Sequence, residues 1–513
     1  MTPTLTLETP VKLRLPKEWA GGQVYLEIAD LLNYEDLGAT HQWKTWKKAL
    51  SNPRHWFALK YGRNALLDKV AELDEERFKS ILFKDDKGLW TYSGMAPELL
   101  SRYGGKLEYG FIRPKYGLIP WAKVPPHELR WFQQKSLDLL APDEVDLINP
   151  ELNLVGHGAV ELATGLGKSL IIVHLLKRIG LPGVVVAPTL SIASQLLSDL
   201  TEAFGTGRVG QFFDGRKQPG KMFVVAVSKS LMNLGPHDKA AELLGGKSVL
   251  IGDESHLLPA ESLQKVILQL LGNIPYRYFL SGTQQRNDGA DILLQGITGK
   301  IHLKMSVRQG IEQGFLSPLK FVQWSVRSDS NFYTDDSLKM NRIHLHDNPN
   351  VYSHSAKLIK RAVIEKGRKV LVLIDEVGQF ASLVRAGMDL PVLFAHGGLN
   401  KENREDVPEA HWKSDPMDFV ARFDRGEVPV LVGSSCIGMG TDVRSADFIV
   451  DLVGLASEVR VRQSVGRGTR LYPGKTGCIV NDYCVENIDV LRNQARKRAA
   501  IFDDIYGPVH HMR

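Results

Sequence analysis

The strongest constraint on the fold is an alternation of short apolar runs, rich in β-branched residues, with longer stretches of helical pattern. Runs that are apolar on both faces are typical of buried parallel strands, and helical stretches between them supply the crossover connections. The pattern therefore predicts an α/β fold with a parallel sheet covered on both faces. Five strands are predicted in the first series: Gly158–Leu162, Gly183–Ala187, Phe223–Val227, Ser248–Gly252 and Tyr276–Ser281.

A second series of such runs begins near residue 355 and predicts a second parallel sheet. Its predicted strands are Lys369–Ile374, Pro391–His396, Val428–Ser434 and Asp447–Val453. Residues 308–350 lie between the two series and contain Gly310, Gly314, Pro318 and a polar run, which predicts a linker. The predicted divisions are therefore 121–307 for the first α/β domain, 308–350 for the linker and 351–513 for the second α/β domain.

The first 120 residues differ in composition from the rest of the chain. Six of the nine tryptophans lie at or before position 121. This shift predicts a separate N-terminal accessory domain over residues 1–120, of unassigned fold. The six are Trp19, Trp43, Trp46, Trp56, Trp90 and Trp121.

Composition excludes several classes of protein. The chain has 513 residues and is 43% hydrophobic and 24% charged, as expected for a soluble globular protein. No apolar run approaches the roughly 18–20 residues of a membrane span, and the start lacks a secretory signal pattern. Cys436, Cys478 and Cys484 are too few and wrongly spaced for a disulfide framework or a zinc site. We expect a reducing bacterial or phage-infected host cytoplasm; the net charge of +6 permits a polyanionic partner without requiring one.

The segment Leu162–Ser169, LATGLGKS, follows a predicted strand and opens a helix predicted over Ser169–Ile179. Glycines let backbone N–H groups converge on phosphate oxygens, and the helix N-terminus adds partial positive charge. Lys168 would reach the β- and γ-phosphates of ATP, and the Ser169 hydroxyl would bind Mg²⁺. The strict phosphate-loop pattern would have glycine at 162, and the alternative is an ordinary glycine-rich turn. The predicted nucleotide-binding residues here are Thr164, Gly165, Leu166, Gly167, Lys168 and Ser169.

Two further short motifs follow predicted strands. Asp253-Glu254-Ser255-His256 comes after Ser248–Gly252, and Ser281-Gly282-Thr283 ends the strand after that. Asp253 at a strand end could hold Mg²⁺, and Glu254 could orient or deprotonate an attacking water. Taken alone, the first motif could be a solvated acidic loop and the second a plain turn.

In this order, GKS, DESH, SGT and the segment Gln463–Arg470 (QSVGRGTR) resemble motifs I, II, III and VI of superfamily 2 helicases. The resemblance covers roughly residues 125–475 and implies two tandem recA-like domains that bind ATP and Mg²⁺ and act on nucleic acid. It implies catalytic roles for Gln463, Arg467 and Arg470, with arginine stabilising charge that develops on the γ-phosphate. The alternative for these arginines is a solvated helix face.

The resemblance also implies roles for residues outside these four motifs. Gln133 would recognise adenine, although it could instead be a surface helix glutamine. Gly440 and Asp442, in a segment resembling motif V, would face the nucleotide. Several serine and threonine positions would contact nucleic acid, although such residues also cap helices. The predicted nucleic-acid contacts are Pro188, Thr189, Ser228, Ser230, Ser434 and Ser435.

Residues 37–67 contain no Asp or Glu but carry basic side chains interleaved with aromatic ones. Basic groups neutralise phosphates and aromatic faces stack on unpaired bases, so Lys44, Lys47 and Lys48 are predicted nucleic-acid contacts. The alternative is that the aromatic residues build a small core while the charges stay solvated.

The run Gly314-Phe315-Leu316-Ser317-Pro318 resembles the bridge of DNA-directed members of the superfamily. With the N-terminal region, it makes the chain most similar to phage UvsW-like branch-migration helicases. We therefore expect a monomeric, ATP-dependent DNA helicase or translocase that tracks along one strand of forked or branched DNA in replication, recombination or repair. The alternatives are an RNA helicase, a non-unwinding translocase of a restriction or defence complex, and a nucleotide-gated binding module.

Overall fold

The computed structural model describes residues 2–52, 55–120, 122–123, 129–142, 156–235, 237–258, 260–283, 289–399, 404–405, 407–434, 443–454, 461 and 466–512. The chain divides into two compact units. Unit 1 comprises Met1–Glu161 and Ser169–Lys304, and unit 2 comprises Leu162–Lys168 and Met305–Arg513. Among the described helices, none combines the length and the apolar character that crossing a membrane requires.

The N-terminal part of unit 1 contains a five-stranded sheet in the order β5-β6-β2-β1-β7. Only the β1–β7 pair is parallel; the other pairs are antiparallel. Helices α1 (Gly22–Leu31) and α5 (Ala96–Tyr103) accompany the sheet. Its strands are β1 (Thr4–Thr9), β2 (Lys12–Arg14), β5 (Phe83–Asp85), β6 (Gly88–Tyr92) and β7 (Lys106–Tyr109).

A helical insertion, residues 33–80, interrupts this sheet between α1 and β5. Its two ends are tied together by an antiparallel strand pair. The Asp36 side chain starts its first helix by accepting a hydrogen bond from the Ala39 backbone N–H at 3.0 Å. Gly62, at φ +92°, separates the second helix from the third, because that backbone conformation favours glycine. The elements are β3 (Asn33–Glu35), α2 (Leu37–Ala49), α3 (Trp56–Tyr61), α4 (Arg63–Glu76) and β4 (Phe78–Ser80).

The second sheet of unit 1 has eight strands in the order β11-β10-β12-β9-β13-β14-β8-β15. The strands from β10 to β8 in this order run parallel, so their carboxyl ends meet at one edge. All five predicted strands are confirmed as β8, β9, β12, β13 and β14, with ends within one residue of the prediction. The strands are β8 (His157–Leu162), β9 (Gly183–Ala187), β10 (Val209–Phe213), β11 (Arg216–Lys217), β12 (Phe223–Val227), β13 (Val249–Asp253), β14 (Tyr276–Ser281) and β15 (Ile301–Met305).

Helices connect these strands, as the crossover pattern predicts. They are α6 (Trp131–Leu140), α7 (Lys168–Ile179), α8 (Leu190–Phe204), α9 (Ser228–Met232), α10 (Lys239–Gly245), α11 (Glu261–Lys265) and α12 (Asp291–Thr298). Short 3-10 helices cover Lys17–Trp19, Ser93–Met95 and Ser255–Leu257, and a π-helical turn covers Val266–Leu270.

The two sheets of unit 1 share one hydrophobic core. Leu5 and Leu99 from the N-terminal part belong to the same buried cluster as Phe279 and Leu294 from the eight-stranded part. The backbones also approach closely: a Cβ atom added at Gly94 would lie 2.3 Å from the Gln295 carbonyl oxygen. The N-terminal region therefore packs as part of this unit, and the boundary at residue 120 stays a prediction.

His157, at the start of β8, lies buried at this junction. Its Nδ1 is 3.2 Å from Ser93 Oγ and its Nε2 is 3.0 Å from the Ile297 carbonyl oxygen. Burial, with the nearby Arg277 charge, lowers the pKa of His157 from its usual 6.5 to about 3. Burial likewise lowers the pKa of His302 to about 4. Both imidazoles are therefore neutral in the folded protein at neutral pH.

These depressed pKa values predict a loss of stability in mild acid. Below about pH 6.5 the unfolded chain binds protons at both histidines while the folded chain does not. The free energy of unfolding should therefore fall by up to about 1.4 kcal/mol per pH unit per histidine until the folded pKa is reached. Urea unfolding at pH 7.5 and 5.5 measures this loss, which should be smaller for His157→Gln. His237→Gln, at an exposed position, serves as the control. Equal losses in His157→Gln and the unaltered chain would contradict the prediction.

Unit 2 contains a seven-stranded sheet in the order β18-β19-β17-β20-β21-β16-β22, with every neighbouring pair parallel. The four predicted strands are confirmed as β17, β18, β19 and β20, each shorter than predicted. The strands are β16 (Leu319–Val326), β17 (Val370–Leu373), β18 (Val392–Ala395), β19 (Val430–Gly433), β20 (Phe448–Asp451), β21 (Cys478–Val485) and β22 (Val509–Met512).

Helices cover this sheet as well, so the α/β class is confirmed for both parallel sheets. They are α13 (Val307–Glu312), α14 (Ser337–Asn341), α15 (Pro349–Ile364), α16 (Gly378–Arg385), α17 (Pro416–Arg425) and α18 (Asp489–Ile505). A π-helical turn covers Arg342–His346 and a 3-10 helix covers Glu409–His411.

The linker predicted over residues 308–350 needs correction at 319–326. These residues form β16, which pairs with β21 along its full length and with β22 on its other side. Gln323 interrupts the apolar run of this strand, so the sequence pattern did not predict a buried strand here. Its side chain is buried and donates hydrogen bonds to Asp482 Oδ2 at 2.9 Å and to the Ala495 carbonyl oxygen at 3.0 Å.

A buried ion pair joins the last long helix to the sheet. Arg498 on α18 donates from Nε to Asp482 Oδ1 of β21 at 3.0 Å, and both side chains are buried. The same guanidinium donates to the carbonyl oxygens of Tyr483, at 2.8 Å, and of Gly454. Each charge is therefore satisfied inside the core, as burial of an ion requires.

Candidate active site

The segment between β8 and α7 has the backbone of a phosphate-binding loop. It leaves the carboxyl edge of the sheet at Leu162 and enters the helix at Lys168. Gly165 and Gly167 have φ values of +94° and +84°, which L side chains rarely adopt. The apolar α7 follows, so its first N–H groups and the positive end of its dipole face the loop. The predicted strand–loop–helix is therefore present, while the nucleotide roles of Thr164, Leu166 and the rest of the loop stay predictions.

Within unit 2, which includes Leu162–Lys168, the loop contacts three residues that follow it far along the chain. The Ala163 backbone N–H donates to the Met305 carbonyl oxygen at 3.1 Å. A Cβ atom added at Gly165 would lie 3.0 Å from Leu316 Cδ2 and 3.3 Å from Arg470 Cδ. The aliphatic part of Arg470 therefore lies against the loop. A larger residue at 165 would displace it.

The acidic motif begins at the carboxyl end of β13, at the strand end where it was predicted. Asp253 is the last residue of the strand, and its Oδ1 accepts a hydrogen bond from the Glu254 backbone N–H at 3.0 Å. Glu254 has φ +51°, in the left-handed region that non-glycine residues seldom occupy. Such a conformation costs on the order of 1–3 kcal/mol and occurs preferentially at functional sites. Glu254 therefore stands in a strained turn directly after β13.

His256 and Ser281 join this turn to the end of β14. Ser281 Oγ donates to the Thr283 carbonyl oxygen. His256 Nδ1 lies 2.8 Å from the same Ser281 Oγ, so the imidazole and the hydroxyl share a hydrogen bond. Glu254 Oε2 lies 3.4 Å from the same Nδ1 and 3.5 Å from Ser281 Oγ. The predicted motifs DESH and SGT therefore meet in one buried hydrogen-bonded cluster.

The sequence prediction assigned no role to His256. Its position in the motif was visible, but its bond to Ser281 depends on the pairing of β13 with β14, which only the fold provides. In this cluster His256 connects the candidate water-orienting residue Glu254 to the following motif.

The donor atoms fit Mg²⁺ that arrives with a nucleotide. Asp253 supplies a carboxylate and Ser169 a hydroxyl, and hard oxygen donors are the ligands that Mg²⁺ prefers. Over the described ranges, no group of three or more His, Cys, Asp or Glu side chains is placed to hold a metal ion. Magnesium usually keeps waters and phosphate oxygens beside one or two protein ligands, so a sparse donor set is the expected one.

Gln133, the candidate adenine-recognising residue, is buried in the first turn of α6. Its Oε1 accepts a hydrogen bond from the Arg130 backbone N–H at 3.0 Å. The bond caps the helix and fixes the direction of the side chain. Its role at the base stays a prediction.

Four of the candidate nucleic-acid contacts follow β9 and β12, which are neighbours in the first sheet. Pro188 and Thr189 follow β9, whereas Ser228 and Ser230 lie in α9 directly after β12. The Thr189 side chain caps α8 by accepting from the Ile192 backbone N–H at 3.4 Å, which is the capping alternative. The four residues thus share one edge of the sheet, and contact with nucleic acid stays a prediction.

Arg467, Arg470 and Ser434 lie in unit 2. Arg467 is buried, and the segment around it is held by a bond from the Ser317 backbone N–H to the Thr469 carbonyl oxygen at 2.6 Å. Ser434 is buried after β19, and its backbone N–H donates to the Ala395 carbonyl oxygen at 3.2 Å. The remaining candidates of this unit lie outside the described residues: Ser435, Gly440, Asp442 and Gln463.

The chain matches two protein-family models. Residues 127–286 match the family "Type III restriction enzyme, res subunit", and residues 353–472 match the helicase conserved C-terminal domain. A predicted helicase, helicase 22 of Sulfolobus islandicus filamentous virus, is 21% identical over 378 residues, which are 70% of this chain. The match spans only 66% of the viral protein's length. The DNA 3'-5' translocase XPB2 of Sulfurisphaera tokodaii is 23% identical over 353 residues, covering 61% of this chain and 74% of that protein.

The chain also matches solved structures. Dbp5 of S. cerevisiae, bound to RNA and ADP BeF3, matches 77% of this chain and 94% of its own, with 14% identity and a TM-score of 0.51. T4 UvsW matches 100% of this chain and 99% of its own, with 16% identity and a TM-score of 0.41. A special closeness to UvsW-like helicases stays a prediction. The two family models together match more than half of the residues, and the chain belongs to the superfamily 2 helicases, with tandem recA-like domains and an additional N-terminal region.

Proposed function

We propose that this helicase-family protein is an ATP-dependent DNA helicase or translocase acting on forked or branched DNA in replication, recombination or repair. The observation that carries the proposal is the cluster of Glu254, His256 and Ser281 at the carboxyl ends of β13 and β14. The cluster links the carboxylate suited to orient water to the motif that follows. Such a link supports coupling of hydrolysis to movement rather than nucleotide binding alone.

In the proposed reaction, the loop from Thr164 to Ser169 binds the phosphates of ATP, with Lys168 at the β- and γ-phosphates. Asp253 and Ser169 would hold Mg²⁺, which when bound neutralises phosphate charge. Glu254 orients the attacking water and accepts its proton. Arg467 and Arg470, with Gln463, supply positive charge and positioning as negative charge develops on the γ-phosphate.

The remaining predicted contacts complete the proposal. Gln133 would recognise adenine, and Gly440 and Asp442 would approach the nucleotide from the second recA-like domain. Nucleic acid would contact residues after β9, β12 and β19, namely Pro188, Thr189, Ser228, Ser230, Ser434 and Ser435. We propose a monomer that meets its DNA in a bacterial or phage-infected host cytoplasm, where recombination and replication proteins would be further partners.

DNA is the favoured substrate for two reasons. The relative XPB2 is described as a DNA 3'-5' translocase, and the bridge Gly314–Pro318 resembles that of DNA-directed helicases. An RNA helicase is the second candidate because the similar structure of Dbp5 is bound to RNA. A translocase without unwinding activity is the third, since the first family model describes a restriction-enzyme subunit.

ATPase stimulation by different nucleic acids tests the proposal. The hydrolysis rate of the full chain would be measured with single-stranded DNA, forked DNA, a four-way junction and RNA of matched nucleotide content. Forked DNA and the junction should stimulate hydrolysis most, and strand separation should accompany it. Stronger stimulation by RNA would favour the RNA helicase and overturn the DNA assignment. Stimulation by DNA without strand displacement or branch migration would identify a translocase.

A further inference from the structure

The helical insertion, residues 33–80, exposes an unusual number of large side chains. On α3, Trp56 is 60% exposed, Leu59 is 70% exposed and Tyr61 is 54% exposed. Trp56, Leu59 and Lys60 are spaced i, i+3 and i+4, so they lie on one face of the helix. Clustered exposed apolar side chains mark binding surfaces more often than single ones do.

The exposed rings of α3 contact other aromatic side chains of the insertion. Phe57 lies 5.0 Å from Trp46 of α2, ring centre to ring centre, and 4.8 Å from Tyr61. Trp56 in turn lies 5.5 Å from Phe57 and 6.5 Å from Trp46. Tilted and edge-to-face contacts of this kind stabilise aromatic pairs. Trp56 and Tyr61 each pack against Phe57, which reduces the side-chain ordering that binding a flat partner would cost.

The neighbouring helix α2 adds a row of positive charge. Lys44, Lys47 and Lys48 are spaced i, i+3 and i+4, so they share a face, and all three are exposed. Across the described part of the chain, no carboxylate is recorded within 4.0 Å of these ammonium groups or of Lys60. Aromatic rings lie beside two of these four lysines: Lys47 Nζ lies 4.2 Å from the ring centre of Trp43, and Lys60 Nζ lies 5.0 Å from that of Tyr61.

We propose that the exposed side chains of α2 and α3, which we together call the stacking platform (Trp56, Leu59 and Tyr61 with Lys44, Lys47 and Lys48), bind an unpaired DNA strand. The rings would stack on base faces, and the lysines would neutralise backbone phosphates. Paired bases in a duplex hide their faces, so a single strand fits this combination of groups better. The inference rests on the proposed function for the choice of DNA.

An oligonucleotide without bases separates stacking from charge. Affinities of the full chain, without nucleotide, would be measured for oligo(dT), for an abasic strand of equal length and for a blunt duplex. Trp56→Ala with Tyr61→Ala should weaken oligo(dT) binding about tenfold and leave abasic binding unchanged, because stacking needs a base. Trp56→Phe with Tyr61→Phe should retain the affinity. Tyr333→Ala, which removes a 73% exposed ring from unit 2, is the matched control and should change nothing.

Substitution of the lysines should weaken binding whether or not the strand carries bases. Lys44→Gln, Lys47→Gln and Lys48→Gln together should weaken oligo(dT) and abasic binding equally. The slope of log affinity against log salt should flatten by about 2, since each phosphate contact on a single strand contributes about 0.7. An unchanged slope would remove the lysines from the platform.

Two outcomes would overturn the stacking platform: oligo(dT) affinity unaffected by the aromatic substitutions, or an equal loss on oligo(dT) and the abasic strand. Neither outcome depends on ATP hydrolysis. The proposed function is tested separately, and it would be wrong if DNA did not stimulate ATP hydrolysis by the unaltered chain. The two failures are therefore distinguishable.

Discussion

Lys168→Ala is expected to reduce DNA-stimulated ATP hydrolysis by at least about 100-fold, the scale of losing one preorganised contact to transition-state charge. Lys168 is the first residue of α7 and follows Gly167, whose φ of +84° turns the chain from the loop into the helix. Lys168 therefore stands at the helix N-terminus, the end of a helix that binds phosphates. Steady-state phosphate release with saturating forked DNA measures the loss.

Lys177→Ala is the matched control for this change. Lys177 is an exposed residue in the last turn of the same helix, so its substitution removes the same side chain away from the loop. Its ATPase should equal that of the unaltered chain. Both variants should unfold at nearly the same urea concentration, because surface substitutions seldom change stability by more than about 0.5 kcal/mol. Full hydrolysis by Lys168→Ala would be incompatible with the proposed ATP-driven motor.

Arg498→Ala is expected to destabilise unit 2 by about 3–5 kcal/mol, the typical cost of removing one partner of a buried ion pair. Asp482 would remain buried without its ion-pair partner, with Gln323 as its remaining described donor at 2.9 Å. The carbonyl oxygens of Tyr483 and Gly454 would also lose their guanidinium donor. Urea unfolding, together with hydrogen exchange in β21, measures the effect.

Arg496→Ala on the same helix controls for lost helix propensity and charge, since Arg496 is exposed. It should change the free energy of unfolding by well under 1 kcal/mol. Arg498→Met combined with Asp482→Leu should cost less than Arg498→Ala, because no charge is then left buried alone. Equal stability of Arg498→Ala and Arg496→Ala would show that the buried pair contributes little.

The position of the core strands could be predicted from the sequence alone. β9, β12 and β14 have the predicted bounds because a strand buried on both faces of a parallel sheet needs an unbroken run of apolar residues. The phosphate-loop shape was equally local, since Gly165 and Gly167 permit backbone angles that other residues avoid. In both cases neighbouring residues carry the whole signal.

Other features were decided by tertiary structure. β16 contains Gln323 and β21 contains Asp482, and such polar residues argue against buried strands. In the fold, Gln323 and Arg498 of α18 both donate hydrogen bonds to Asp482. The bond between His256 and Ser281 required two strands to become neighbours. The joint core of the N-terminal sheet and the first parallel sheet likewise depends on contacts between distant segments.

The difference between the features that the sequence predicted and those that tertiary structure decided has a physical reason. Apolar periodicity and glycine positions act over a few residues, so the sequence by itself determined the two parallel sheets, the loop and the candidate catalytic residues. Buried polar groups are tolerated only when partners from elsewhere in the chain satisfy them. Tertiary structure therefore decided which polar residues became core, and it brought Glu254 together with His256 and Ser281.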